Sequence, residues 1–172
     1  MSAGPPVELD PIRRLRAMAA AIPGAAVAEA VLDAPFDSVW AVATDFEHVG
    51  GIEILIKEAR IRSRRPDAET GGERVEIEYK PRPFGPREVI EADVRPGWCW
   101  MQSPLAVAAM AAVPEGERTR FAHLEAVRFP GRRMLKPFVA AKMALARELR
   151  RFERRAQERA GGGSPHFGRR PL

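Results

Sequence analysis

Between Arg74 and Lys80 apolar and polar side chains alternate without a break, Val75, Ile77 and Tyr79 against Glu76, Glu78 and Lys80. A period of two marks a strand with one buried face and one wet face. Similar strand patterns return in REVIEADV (87–94), WCWMQS (98–103) and RTRFAHLEAVRF (118–129), with Pro/Gly turns between them. AAVAEAVL (25–32) and the run from about Leu55 to Arg65 also read as strands. LAVAAMAAV (105–113) carries conflicting signals: its alanines favour a helix, whereas its length and flanking turns favour a strand. The need for a hairpin partner decides for the strand. Short turns imply antiparallel pairing, so the expected sheet is seven-stranded and antiparallel.

Helical spacing appears in three places. In residues 9–22, Ile12, Leu15, Met18, Ala19 and Ile22 share a stripe, with Asp10 as cap, Pro11 in the first turn and Pro23-Gly24 as the stop. The second place follows the first strand, in LDAPFDSVWAVATDFEHV (32–49). Pro35 suits a first helical turn because its missing N–H has no partner there. Asp33 is the expected cap and Asp37 favours the positive helix end. Phe36, Val39, Trp40, Ala43 and Phe46 form one stripe, and a helix this short needs a surface from later in the chain to cover it. His48 to Gly51 breaks it, with a second short helical turn around the break.

The third helix follows Pro130-Gly131 and runs to about Arg159. Leu135, Phe138, Lys142, Leu145, Leu149, Phe152 and Ala156 recur near every 3.5 residues, and Val139, Met143 and Ala146 widen the stripe. At ~1.5 Å per residue it extends about 40 Å, enough to cross a sheet. The apolar sheet face and this stripe must cover each other. The expected fold class is therefore α+β: a seven-stranded antiparallel sheet wrapped around a long C-terminal helix, with two short helices after the first strand.

The phrase VLDAPFDSVWAVATDFEHV resembles the opening of START-like SRPBCC proteins, the helix-grip superfamily that includes polyketide cyclase/dehydrase-type domains. The likeness continues in GERTRFAHLEAVRFPGRRMLKPFVAAKMALARELRRFERRA, where a glycine turn, a last strand, Pro-Gly and a long amphipathic helix follow the family's order. It covers about residues 25–158 and departs at Val49-Gly-Gly-Ile52, where many members carry Trp-Pro. The resemblance implies a helix-grip fold with a cavity between sheet and C-terminal helix. Residues 25–159 are then the domain, 1–24 an extension with a short helix, and 160–172 a disordered tail.

Length and charge sharpen this picture. A chain of 172 residues fits one domain plus tails. The one cysteine, Cys99, excludes an internal disulfide and suits a reducing, cytoplasmic setting. Neither a secretory signal nor a membrane-spanning apolar run is legible. The net charge of +5 is uneven: residues 128–172 hold 13 Lys+Arg against 3 Glu. Arg147, Arg150, Arg151, Arg154 and Arg155 lie on the long helix and suit a solvated face or peripheral contact with an anionic membrane. Nucleic acid is not an expected partner, since stacking aromatics and binding motifs are missing.

Alternation places Tyr79, Ile90, Trp98, Trp100, Phe121, His123 and Phe138 near the expected cavity, with Trp40 and Phe46 packing in from the short helices. These nine are the expected ligand contacts; the alternative is that most of them are ordinary core residues. His123 and Glu125 share a strand face with Phe121, Val127 and Phe129. Polar groups on an apolar face need a reason: proton transfer, anchoring of a polar ligand group, or a structural hydrogen bond or solvent. Tyr79 and Glu88 are further candidates. No metal or cofactor is expected: His48, His123 and His166 show no paired ligand spacing, and no phosphate loop, dinucleotide fingerprint or nucleophile elbow is present. Two functions remain open. The protein binds a hydrophobic small molecule (lipid, quinone or polyketide-like), or it is a cyclase/aromatase-type enzyme in which His123, Glu125 or Tyr79 moves protons.

Overall fold

The computed structural model describes residues 10–51, 56–81, 86–104, 106–127 and 138–161. The expected tails at 1–9 and 162–172, and the Pro130-Gly131 turn, lie outside them. Helix α1 (Pro11–Ala20) precedes β1 (Ala26–Leu32), α2 (Phe36–Ala43) and a 3-10 helix (Phe46–Gly51). Six strands follow: β2 (Ile56–Asp67), β3 (Gly72–Pro81), β4 (Glu88–Arg95), β5 (Trp98–Gln102), β6 (Ala106–Glu115) and β7 (Arg118–Val127). Helix α3 (Phe138–Gly161) ends the described chain.

All seven strands form one antiparallel sheet in the order β1-β7-β6-β5-β4-β3-β2. The first two strands in sequence therefore lie at opposite edges. Their connection must cross the sheet, and α2 and the 3-10 helix are that connection. This explains the abrupt turn after β1. Val39, Ala43 and Phe46 bury against Phe121, Met110 and the α3 residues Leu149 and Phe152 in one core. The sheet bends in part through β2, whose register shifts between Ile56 and Glu58 and again between Ile61 and Ser63.

The end of β1 is tied to α3 by backbone groups: the Asp33 N–H donates to Glu153 Oε1 at 3.0 Å, and Gln157 Nε2 donates to the Asp33 carbonyl at 3.1 Å. Asp33 does not cap α2, contrary to the sequence expectation. The cap position is Pro35, with no side-chain bond, because α2 begins at Phe36 and Asp33 lies two residues before that position. Asp10 does cap α1, its Oδ1 accepting from the N–H groups of Ile12 (2.9 Å) and Arg13 (3.2 Å). Gly97 sits at φ +72° in the β4–β5 turn, where a Cβ would lie 2.6 Å from the Ala112 carbonyl oxygen, so the turn requires glycine.

The sheet has a core on each side. On the helix side, Phe121, Met110, Cys99, Val75 and Ile77 pack with α2 and α3. On the outer side, Trp98, Ala109, Ala111, Ala122 and Leu124 pack beneath Ile12 and Leu15 of α1. The alanine-rich segment is a strand, as expected, because tertiary packing overrides its propensity: Ala109 and Ala111 are fully buried beneath a helix that needs small residues to approach. In α3, Leu145, Leu149, Phe152 and Ala156 are buried as the stripe predicts, whereas Ala146 is exposed and does not widen it. Leu135 lies outside the described residues, as do the side chains of Phe138, Val139, Lys142 and Met143.

Candidate functional site

The alternation of β7 sends Phe121, His123 and Glu125 to the helix side and Ala122, Leu124 and Ala126 to the outer core. His123 is opposite Ala28 on β1 and Met110 on β6, in the middle of the sheet. It is fully buried, and neither ring nitrogen has a hydrogen-bond partner. Phe152 of α3 presents a ring edge-on at 6.5 Å between centroids and stacks obliquely on Phe121 at 5.1 Å.

Glu148, one turn before Phe152 on α3, brings a second charge-bearing group to this place. It is 2 % exposed, and its Oε2 lies 3.9 Å from His123 Nδ1, beyond hydrogen-bond reach. Glu125 is half-buried on the same strand face, two residues from His123. One donor atom from each of His123, Glu125 and Glu148 lies within 4.8 Å of the others. Burial drives the imidazole of His123 down to about 4, against the opposing pull of Glu148, so it is neutral at pH 7. Burial likewise raises the carboxyl of Glu125, favouring its protonated form.

A second polar group sits where β3 and β4 pair at their ends. Tyr79 Oη donates to Glu88 Oε2, and Ser103 Oγ contacts the same oxygen at 3.3 Å. Tyr79 is therefore held by Glu88 and packs against the helix-side core with the rest of its ring.

The other expected residues separate into two sets. Trp40, Phe46, Ile90 and Phe121 face the helix side, Phe46 and Phe121 buried and Trp40 partly so, its ring stacked on Phe36 at 6.3 Å. The side chain of Phe138 lies outside the described residues. Trp98 and Trp100 correct the expectation: they belong to the outer core, stacked on each other at 6.3 Å, with the Arg14 guanidinium 4.6 Å over the Trp98 ring. Their strand is apolar on both faces, so the alternate residues Cys99 and Met101 face the helix side instead. The sequence reading missed Glu148. A glutamate three residues after Leu145 and four before Phe152, inside the apolar stripe, was the available signal.

Two surface depressions are lined by described residues. One, of about 360 Å³, lies between α2, the 3-10 helix and α3, bounded by Val42, Asp45, His48, Arg155, Glu158 and Arg159. The other, of about 470 Å³, is a charged groove on the outer face beside Trp100, bounded by residues such as Arg65, Arg74, Glu76 and Asp93. No described helix is long and apolar enough to cross a membrane.

No family model matches the chain, and no curated protein matches it. Solved structures do. The chain has the START/SRPBCC-like helix-grip fold. An 18 kDa protein from Caulobacter crescentus superimposes with a TM-score of 0.64 at 17% identity, over 80% of this chain and 99% of that one. The ZhuI aromatase/cyclase from Streptomyces sp. R1128 gives 0.57 at 17% identity, over 81% and 98%. A START superfamily protein from Mycobacterium smegmatis gives 0.54 at 18% identity, over 78% and 97%. At these identities the START-like match speaks for the fold.

Proposed function

We propose that the protein binds a small hydrophobic molecule (lipid, quinone or polyketide-like) between the helix-side face of the sheet and α3. One observation carries this reading: a face built from Phe121, Met110, Cys99 and Ile77 keeps a fully buried imidazole whose two nitrogens have no hydrogen-bond partner in the protein. An unpartnered buried polar group costs on the order of 1–3 kcal/mol. Its retention makes sense if a ligand oxygen completes it. Trp40, Phe46, Tyr79, Ile90, Phe121 and Phe138 are the proposed apolar and aromatic contacts. The depression beside His48 and Arg155 is the proposed entrance, and the exposed Arg147, Arg150 and Arg154 the proposed contact with an anionic membrane from which an apolar ligand is drawn. The proposed setting is the cytosol, where Cys99 stays reduced and buried.

Native mass spectrometry of protein purified from its own host tests this reading. The expected result is an apolar adduct, displaced by an environment-sensitive apolar dye that lights up on binding. Protein that arrives empty and takes up no dye refutes it.

The paired protonation states favour one second reading. A neutral imidazole and a carboxyl biased toward its acid form, on one strand face, are the makings of a general base and a general acid. An aromatase/cyclase would use them to move protons on a folded poly-ketone, with positioning supplying much of the acceleration. In that case His123→Ala abolishes turnover of a polyketide substrate while circular dichroism stays native; unchanged turnover removes the role.

A further inference from the structure

We propose that His123, Glu125 and Glu148 form a binding site for one divalent first-row transition cation, such as Zn²⁺, inside the sheet–helix interface. The three side chains come from two elements that only the tertiary fold brings together. Glu125 and His123 project from the same face of β7 because they are two residues apart. Glu148 reaches them from α3, where Leu145, Leu149 and Phe152 anchor its turn in the core. Their donor atoms lie within 4.8 Å of one another. Ligands bound to a tetrahedral zinc at ~2.1 Å stand about 3.4 Å apart, so the three must close by at most about 1.4 Å around the ion.

The chemistry of the set favours such an ion. One imidazole and two carboxylates are a mixed nitrogen–oxygen set, suited to zinc, manganese or ferrous iron and too poor in oxygen for calcium. Three protein donors leave a coordination position open, the arrangement of sites that hold a water or a ligand oxygen. The independent sign of a site is His123 itself, fully buried and with no hydrogen-bond partner at either nitrogen. A cation would satisfy one of those nitrogens. Across the sheet, Ala28 and Ala26 of β1 are the cross-strand neighbours of His123 and Glu125.

This inference builds on the site of the proposed function, though not on its ligand. Protein that takes the cation and no apolar molecule keeps this inference and loses that one; protein that takes dye and no cation does the reverse.

The probe is Co²⁺ added to full-length protein stripped with a chelator, followed by its visible ligand-field absorption and by competition with Zn²⁺. The expected result is saturation at one equivalent, bands of a low-coordinate nitrogen–oxygen site, displacement by Zn²⁺ and a raised melting temperature. His123→Gln should weaken Co²⁺ binding by more than about 100-fold, since even groups that only orient metal ligands cost about 10- to 100-fold. Glu125→Gln, at a half-buried position that tolerates the change, should weaken it at least about tenfold and decides the matter if His123→Gln does not fold. His48→Gln, at the exposed pair in which Asp45 Oδ1 lies 2.8 Å from His48 Nδ1, should leave binding unchanged. The proposal is overturned if stripped protein takes up no stoichiometric Co²⁺, if Glu125→Gln binds as tightly as the wild type, or if His48→Gln removes the signal.

Discussion

On the outer face of β5, β6 and β7, Trp98, Ala109, Ala111 and Leu124 lie beneath α1; on the outer face of β2, β3 and β4 most of the equivalent positions hold charges, Arg60, Arg65, Glu76, Glu78 and Glu91 among them. There Arg60 contacts Glu78 at 2.9 Å, Arg65 contacts Glu76 at 2.9 Å, and Arg87 bridges Glu58 at 3.0 Å and Glu78 at 3.4 Å. One half of the sheet is thus dry on both faces and the other on one face only. The dry half is the half that carries His123 and Glu125. A buried polar cluster needs rigid surroundings, and two packed layers supply them better than a layer backed by solvent. The charged half contributes solubility and register: Arg65–Glu76 and Arg87–Glu58 are exposed pairs, worth little individually, while Glu78 is buried with Arg60 and Arg87 beside it.

The sharpest way to break this comparison is to remove α1's contribution. Leu15→Ala, at a fully buried position, should cost about 2–5 kcal/mol in urea unfolding, the range for large-to-small core changes. If it costs no more than Arg65→Ala, the outer core does not stabilise the dry half.

A comparable effect is expected from pH. In chelator-treated protein the depressed His123 means that the unfolded chain takes up a proton below about 6.5 while the folded chain does not until about 4. Unfolding is therefore favoured as pH falls through that window, by roughly 3 kcal/mol in all. The raised Glu125 acts with the opposite slope, because there the folded state holds the proton longer. Comparing wild type with His123→Gln isolates the histidine: the variant should lack the decline between pH 6.5 and 4. Parallel stability profiles for the two proteins would show that the imidazole is not held neutral by burial.

The smallest effects contrast one polar contact from each half. Asp10→Ala removes the cap of α1 and the 2.8 Å pair with Arg120, and should cost ~1 kcal/mol or slightly more. Arg65→Ala breaks an exposed pair and should cost about 0–1 kcal/mol. The two midpoints from one denaturation series check the order, and the reverse order would mean that α1 frays without loss.

Much of this architecture was legible before any coordinates. The alternation at Val75–Tyr79, the capped start of α1 at Asp10 and the stripe through Leu145, Leu149 and Phe152 each encode an element by local periodicity, and each element formed. The site was legible only in part. His123 and Glu125 stood out as polar residues on an apolar face, but the partner Glu148 did not, because it lies 25 positions beyond His123 and its own helix reads as richly charged. A local error had a local cause: Asp33 resembles a cap, but α2 begins only at Phe36, with Pro35 at its cap position.

What the sequence determined by itself was the type and order of the elements, because hydrogen-bond geometry fixes a period of 2 or 3.6 that the apolar pattern must match. What only the tertiary structure decided was which side of each element faces which layer. A period of two states that neighbours point opposite ways without stating which way is inward, and in β5 both ways are. Trp98 and Trp100 therefore went to α1, and Glu148 met His123, for a reason no local pattern contains: the packing of layers far apart in the chain.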